Sequence, residues 1–176
     1  MAERRALKII LVAGSALGLA AVALAQTPPQ IAGQALPAPP AEKTVVVPAA
    51  GGWLDTGIDV APGEEILFSA TGEINLQKGN PGAVCGPGGL DLVTVEQPVP
   101  NANLGALIGR IVQLVASRVD EDSGMEVRDE IFVLFPVGPE GAVSVPFKGR
   151  LYLGVNENVL KDNEGEFSVL ITRRPI

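Results

Sequence analysis

Glu157, Asp162 and Asn163 stand in the polar gap of the stretch GVNENVLKDNEGEFSVLI, residues 154–171. Their side chains offer two carboxylates and one neutral amide oxygen, and the backbone between them adds carbonyls. That is the donor set of a hard cation: calcium takes about six to eight oxygens at roughly 2.3–2.6 Å, drawn from carboxylates, amides, backbone carbonyls and water. Glu157 and Asp162 would offset the ion's charge. Without an ion their convergence is unfavourable, and Glu164 and Glu166 deepen the local negative potential. The same residues also make an ordinary turn, because Asp and Asn bond their own backbone and Gly165 supplies positive φ. The spacing matches no compact motif such as an EF-hand, so the gap stands either as a metal site or as a solvated turn.

The second acidic cluster, DEDSGME at residues 120–126, fails as a calcium loop. Gly124 occupies the fifth position, where a ligand belongs, and Ile131 the twelfth, where the bidentate Glu belongs. It reads as a solvated hairpin tip. The chain contains no histidine. A Ser-His-Asp triad, a Cys-His pair and the usual zinc sites all need an imidazole, so they are excluded. Serines 69, 117, 123, 144 and 168 therefore lack an activating base, and Lys43, Lys78, Lys148 and Lys161 lie in polar surroundings. Nothing marks a carboxylate pair for glycoside hydrolysis, and no Gly-rich phosphate loop leads into a helix. The expectation is a protein that is not an enzyme. Trp53 and Tyr152 are the only residues of their types; a lone Trp beside LDTGIDV reads as core.

The elements that must position the polar gap are strands. In EILFSATGEINL, Ile66, Phe68 and Ala70 alternate with polar neighbours, as a half-buried strand requires. RLYLGVN places Leu151, Leu153 and Val155 on one side with Tyr152 and Asn156 opposite, and EFSVLIT does the same with Phe167, Val169 and Ile171. IFVLFPV, residues 131–137, is apolar throughout and reads as a strand covered on both faces. Further strands are expected at residues 44–47, 53–60, 106–114 and 142–146, while residues 111–117 suit a strand or a short helix equally. Turn signals such as APGEE, GPGG and GPEG separate them. Many short strands, Gly/Pro turns and almost no helix indicate an all-β fold, an antiparallel β-sandwich or jelly roll.

The ends of the chain set its context. Arg4, Arg5 and Lys8 precede an apolar run, residues 9–25, that ends in Ala23-Leu24-Ala25. This predicts a secretory signal peptide over residues 1–25 with cleavage after Ala25; a retained membrane anchor is the competing reading. No Cys follows the run, so a lipoprotein anchor is not expected. Residues 26–44 are rich in Pro and Ala and read as an extended linker, leaving one domain over residues 45–176. Secretion or a periplasmic location follows. The whole chain carries a net charge of −7. Arg4, Arg5, Lys8 and Glu3 fall in the leader, leaving ten basic against nineteen acidic residues, a net charge of −9. Such a surface repels phosphate backbones and anionic lipid, so neither nucleic acid nor, after cleavage, membrane is an expected partner. Cys85 is the only cysteine and cannot form an intrachain disulfide; it reads as a buried small hydrophobe.

Three separated segments, GWLDTGIDVAPGEEILFSATGEI, GALIGRI and GRLYLGVNEN with DNEGEFSVLI, occur in an order that resembles the galactophilic bacterial lectins of the PA-I (LecA-like) type. The resemblance spans residues 45–176. It implies a jelly-roll, galactose-binding-domain-like sandwich in which one Ca2+ sits in loops at one end and is completed by two sugar hydroxyls. Carried over residue by residue, it implies side-chain ligands at Glu157, Asp162 and Asn163. It adds backbone carbonyl ligands at Leu76 and at Val159 or Leu160, with the sugar bound through calcium at Glu157 and Asp162. The family's sugar-contacting histidine has no counterpart here. The resemblance thus points to an exported, noncatalytic, calcium-dependent carbohydrate-binding module with a glycan partner. The alternative is a periplasmic or surface interaction domain of the same fold, in which oligomer formation stays open.

Overall fold

The computed structural model describes residues 41–121 and 124–174. The leader, and the linker up to residue 40, lie outside the described residues. Among the described residues nine strands form two antiparallel sheets. One sheet runs in the order β1 (Ala41–Pro48), β9 (Glu164–Arg174), β3 (Glu65–Asn75), β4 (Val84–Cys85), with β7 (Glu140–Ser144) also pairing β3. The other runs β2 (Leu54–Val60), β8 (Gly149–Val155), β5 (Leu107–Val119), β6 (Glu126–Pro136). Consecutive strands β8 and β9 therefore belong to different sheets, and the residues between them cross from one layer to the other.

The alternation read from the sequence is the alternation of burial. Ile66, Phe68 and Ala70 of β3, Leu151, Leu153 and Val155 of β8, and Phe167, Val169 and Ile171 of β9 all enter the core between the sheets. Rings of Phe68 and Phe135 meet across it, with centroids 6.0 Å apart. Phe135 fits because Gly109 on β5 has no side chain; a Cβ there would lie 2.4 Å from the ring. Burial of this apolar face is the dominant stabilising term in such a domain, at about 25 cal/mol per Å². Among the described residues no helix is long and apolar enough to cross a membrane.

One open reading is settled and two expectations change. Residues 111–117 are strand throughout, as part of β5. β1 spans Ala41–Pro48, longer than the strand expected at residues 44–47, because pairing with β9 continues to Arg173. The apolar run at residues 131–137 is not covered on both faces. β6 is the edge of its sheet, and the β5–β6 hairpin outgrows the sandwich, leaving Ile131 and Phe132 47 % and 59 % exposed. The hairpin tip predicted at DEDSGME does join β5 to β6; Gly124 donates to the Asp120 carbonyl at 2.8 Å, and Asp122 and Ser123 lie outside the described residues.

Candidate functional site

The loop at residues 156–163 starts from a fully buried anchor. Asn156 faces away from the core on β8's outer side, and its amide is used completely. Its Nδ2 donates to the carbonyls of Val99, Ala102 and Asn103 at 3.0, 3.1 and 3.1 Å, and its Oδ1 accepts from the Val99 amide at 2.9 Å. These bonds hold the segment around residues 99–103 against the outer face of the four-stranded sheet, where Val99, Ala102, Ala106 and Ile108 form a second small core with Trp53 and Leu134. Asn158 extends the clamp by donating from Nδ2 to the Glu96 carbonyl.

Glu157 follows at once and turns the other way. Its carboxylate accepts a 2.8 Å hydrogen bond from Asn163 Nδ2, which also reaches the Ala49 carbonyl at 3.3 Å. Burial pushes the Glu157 carboxyl above its ordinary value; the Asn163 bond opposes that shift and the Asp162 charge adds to it. Asn163 is only 6 % exposed, and its Oδ1 is buried with no hydrogen-bond partner among the described residues. A buried acceptor left unpaired costs about 1–3 kcal/mol, so this atom needs a reason. Asp162 is exposed, and its carbonyl accepts from the Lys78 amide at 2.8 Å, which seats the chain just after β3 against the loop. Leu76 lies in that same segment, buried, with its amide donating to the Ala83 carbonyl at 2.9 Å. The Leu160 carbonyl accepts from the Asn163 amide, closing the loop's last turn. Gly165, the second residue of β9, has φ 91°, and a Cβ there would sit 2.5 Å from the Glu73 carbonyl oxygen.

Glu157 and Asn163 are thus in direct contact, Asp162 is close enough for its charge to act on Glu157, and Leu76 adjoins through the Lys78 bond. Val159 points outward at 62 % exposure. Among the described residues no three His, Cys, Asp or Glu side chains cluster tightly enough to hold a metal by themselves, so an ion here would depend on the amide and on backbone oxygens. Cys85 is buried and free, and burial together with the Glu157 charge pushes its thiol up to about 11. Its environment disfavours the thiolate that reaction needs, in keeping with its reading as a small hydrophobe.

Beside the loop lies a cavity of about 220 Å³ walled by Trp53, Pro98, Gly154, Glu157, Asn158 and Leu160. A larger hollow of about 530 Å³ runs along β3 and β7 past Leu67, Glu140 and Thr172, and contains none of these groups. The smaller cavity is the better candidate, because an aromatic wall, a carboxylate and an amide converge there. Trp53 was expected in the core; it is instead half-buried on the outer face, with Arg110 over its ring. The only local trace of this in the sequence is Gly154, a gap in the outward-facing residues of β8 that the indole fills, since a Cβ there would approach the ring to 3.1 Å.

No protein-family model and no curated protein matches this chain. Among solved structures it is similar to one described as "EclA N-terminal domain; PllA-like lectin", with 24 % sequence identity and a TM-score of 0.51, covering 74 % of this chain and 95 % of that one. Two antiparallel sheets with this strand pairing, together with that likeness, give the chain the fold of a lectin-like β-sandwich.

Proposed function

We propose that this domain is an exported, noncatalytic, calcium-dependent glycan-binding module whose ion site is Glu157, Asp162 and Asn163. The observation that carries the reading is the buried Oδ1 of Asn163, without a partner among the described residues, beside a carboxylate that burial makes costly to ionise. A dication would satisfy both at once, and calcium fits a set made only of oxygens. Glu157 and Asp162 would supply its counter-charge, Asn163 a neutral oxygen, and the carbonyls of Leu76 and of Val159 or Leu160 further ligands. Calcium so held supplies positions that sugar hydroxyls take over from water.

The chain's own residues would do the rest. Trp53 offers an apolar face for the C–H side of a sugar ring, and the Asn158 and Glu157 side chains in the cavity wall offer polar contacts. The similarity of the fold to a PllA-like lectin supports the same reading. A glycan array probed in calcium buffer and again with chelator tests it: calcium-dependent binding to a defined glycan set is expected, and silence in both conditions would defeat it.

One observation favours the alternative, an interaction domain. Leu114, Val115, Ile131 and Phe132 are all about half-exposed on the protruding β5–β6 hairpin, and an uncovered apolar edge strand invites pairing with another chain. Calcium binding with a silent array would favour that role.

A further inference from the structure

Arg110 lies on β5 with its side chain on the outer face of the four-stranded sheet, opposite Tyr152 in the ladder. Its guanidinium carbon is 4.6 Å from the centre of the Trp53 ring and 4.8 Å from that of Tyr152. The register explains the geometry: Gly154, two residues after Tyr152, leaves the space across which the Trp53 indole lies. Two aromatic faces attract the cation and restrict its rotamers.

What the side chain lacks, among the described residues, is an ion pair; the Glu130 carboxylate acts on it through its charge without bonding to it. Arg118, Arg128, Arg150, Arg173 and Arg174 each make an ion pair. Arg110, the sixth arginine among the described residues, makes none with them, and its Nε is buried without a hydrogen-bond partner among them. Asp55 and Asp59 of β2 are already taken, because Arg150 holds them at 2.6 Å and 3.1 Å. In a chain with seven more acidic than basic residues, an arginine held by two rings, sensing the Glu130 charge but in no ion pair among the described residues, is a charge available to a ligand. Trp53 is shared: the indole under Arg110 is also a wall of the cavity beside Glu157.

We propose that Arg110 is an anion-recognising subsite that takes the carboxylate of an acidic oligosaccharide, a uronate-containing chain, while a neighbouring sugar ring occupies the Trp53 cavity; this rests on the glycan-binding reading above. A guanidinium fork matches a carboxylate with two parallel hydrogen bonds, and the aromatic clamp reduces the freedom lost on binding. The net negative surface repels such a ligand at long range, so recognition is by contact. Affinity should therefore hold or rise as salt screens the repulsion.

The test is titration calorimetry in calcium buffer with a uronate-containing oligosaccharide and with the same compound after reduction of its carboxyl to hydroxymethyl. Wild type should bind the acidic form at least tenfold more tightly. R110M should bind both forms equally and keep the affinity for the reduced form, and R110K, which keeps the charge and loses the fork, should retain part of the preference. The 15N signal of Arg110 Nε should shift with the acidic form only. Equal binding of both forms by wild type, or a full preference surviving in R110K and R110M, would overturn the subsite and leave glycan binding intact. Failure of both forms to bind wild type would overturn both.

Discussion

Asn163 donates from Nδ2 to the Glu157 carboxylate at 2.8 Å, while its own Oδ1, buried in the same place, bonds to nothing among the described residues. One amide is thus half-satisfied, and the unsatisfied half is an acceptor beside a carboxylate. Calcium should raise the melting temperature measurably, since a ligand at one hundred times its dissociation constant stabilises the folded state by about 2.7 kcal/mol. Several degrees are expected for a domain of this size. Scanning fluorimetry with millimolar calcium and with chelator measures it, and N163A and E157Q should abolish the shift. No shift in wild type would remove the ion from the account.

The raised Glu157 carboxyl gives calcium-free protein a definite pH response. A carboxyl whose folded value lies above its unfolded value binds more protons in the folded state, so stability falls as pH rises from the ordinary value near 4.5 through the raised folded value. At neutral pH Glu157 is therefore a cost, and E157Q should be the more stable protein in chelator, with the advantage shrinking toward pH 4. Asp162 and the thiol of Cys85 face the same group; D162N should lessen the effect without removing it. Urea denaturation across pH in chelator checks the sign. With calcium present, acid should weaken ion binding, because the proton and the ion compete for the carboxylate.

Asn156 should be among the most sensitive positions in the chain. N156A leaves the Val99 amide and three carbonyls without their side-chain partner, a loss of about 3 kcal/mol when buried partners are abandoned. N156D should be worse than alanine, since it turns a donor facing three carbonyls into a second acceptor. Chemical denaturation ranks them. A ranking with aspartate milder than alanine would contradict the bonding pattern.

Trp53 is the only tryptophan, so its emission reports the outer face directly. A Cβ at Gly154 would lie 3.1 Å from the indole; G154A asks it to yield slightly, whereas G154V must displace it. Emission should shift to the red in G154V, with little change in G154A, and the valine variant should lose affinity for any ligand of the cavity.

Strand alternation at Phe167, Val169 and Ile171, or at Leu151 and Leu153, was legible because the period of two is a local property and burial obeys it. Glu157, Asp162 and Asn163 could be picked out as a group for a similar reason, being close in the chain. What escaped depends on partners far away. Asn156 reads as an outward polar residue, and it is outward, yet it is fully buried because a segment more than fifty residues earlier folds over it. Phe132 sits in an apolar run that resembles a central strand, but its hairpin extends past the sandwich, where no second layer covers it. Arg110 carries no local mark at all, since its aromatic neighbours come from β8 and from the residue just before β2.

The passage from β8 to β9 has a consequence for how the fold comes apart. These two strands lie in separate layers, and the contact between Glu157 and Asn163 spans the crossing. Anything that fastened those two residues together would act as a rivet at the open end of the sandwich. It would tie the layers at their crossing, and so should lengthen the protein's survival against proteases by slowing the step in which one sheet leaves the other.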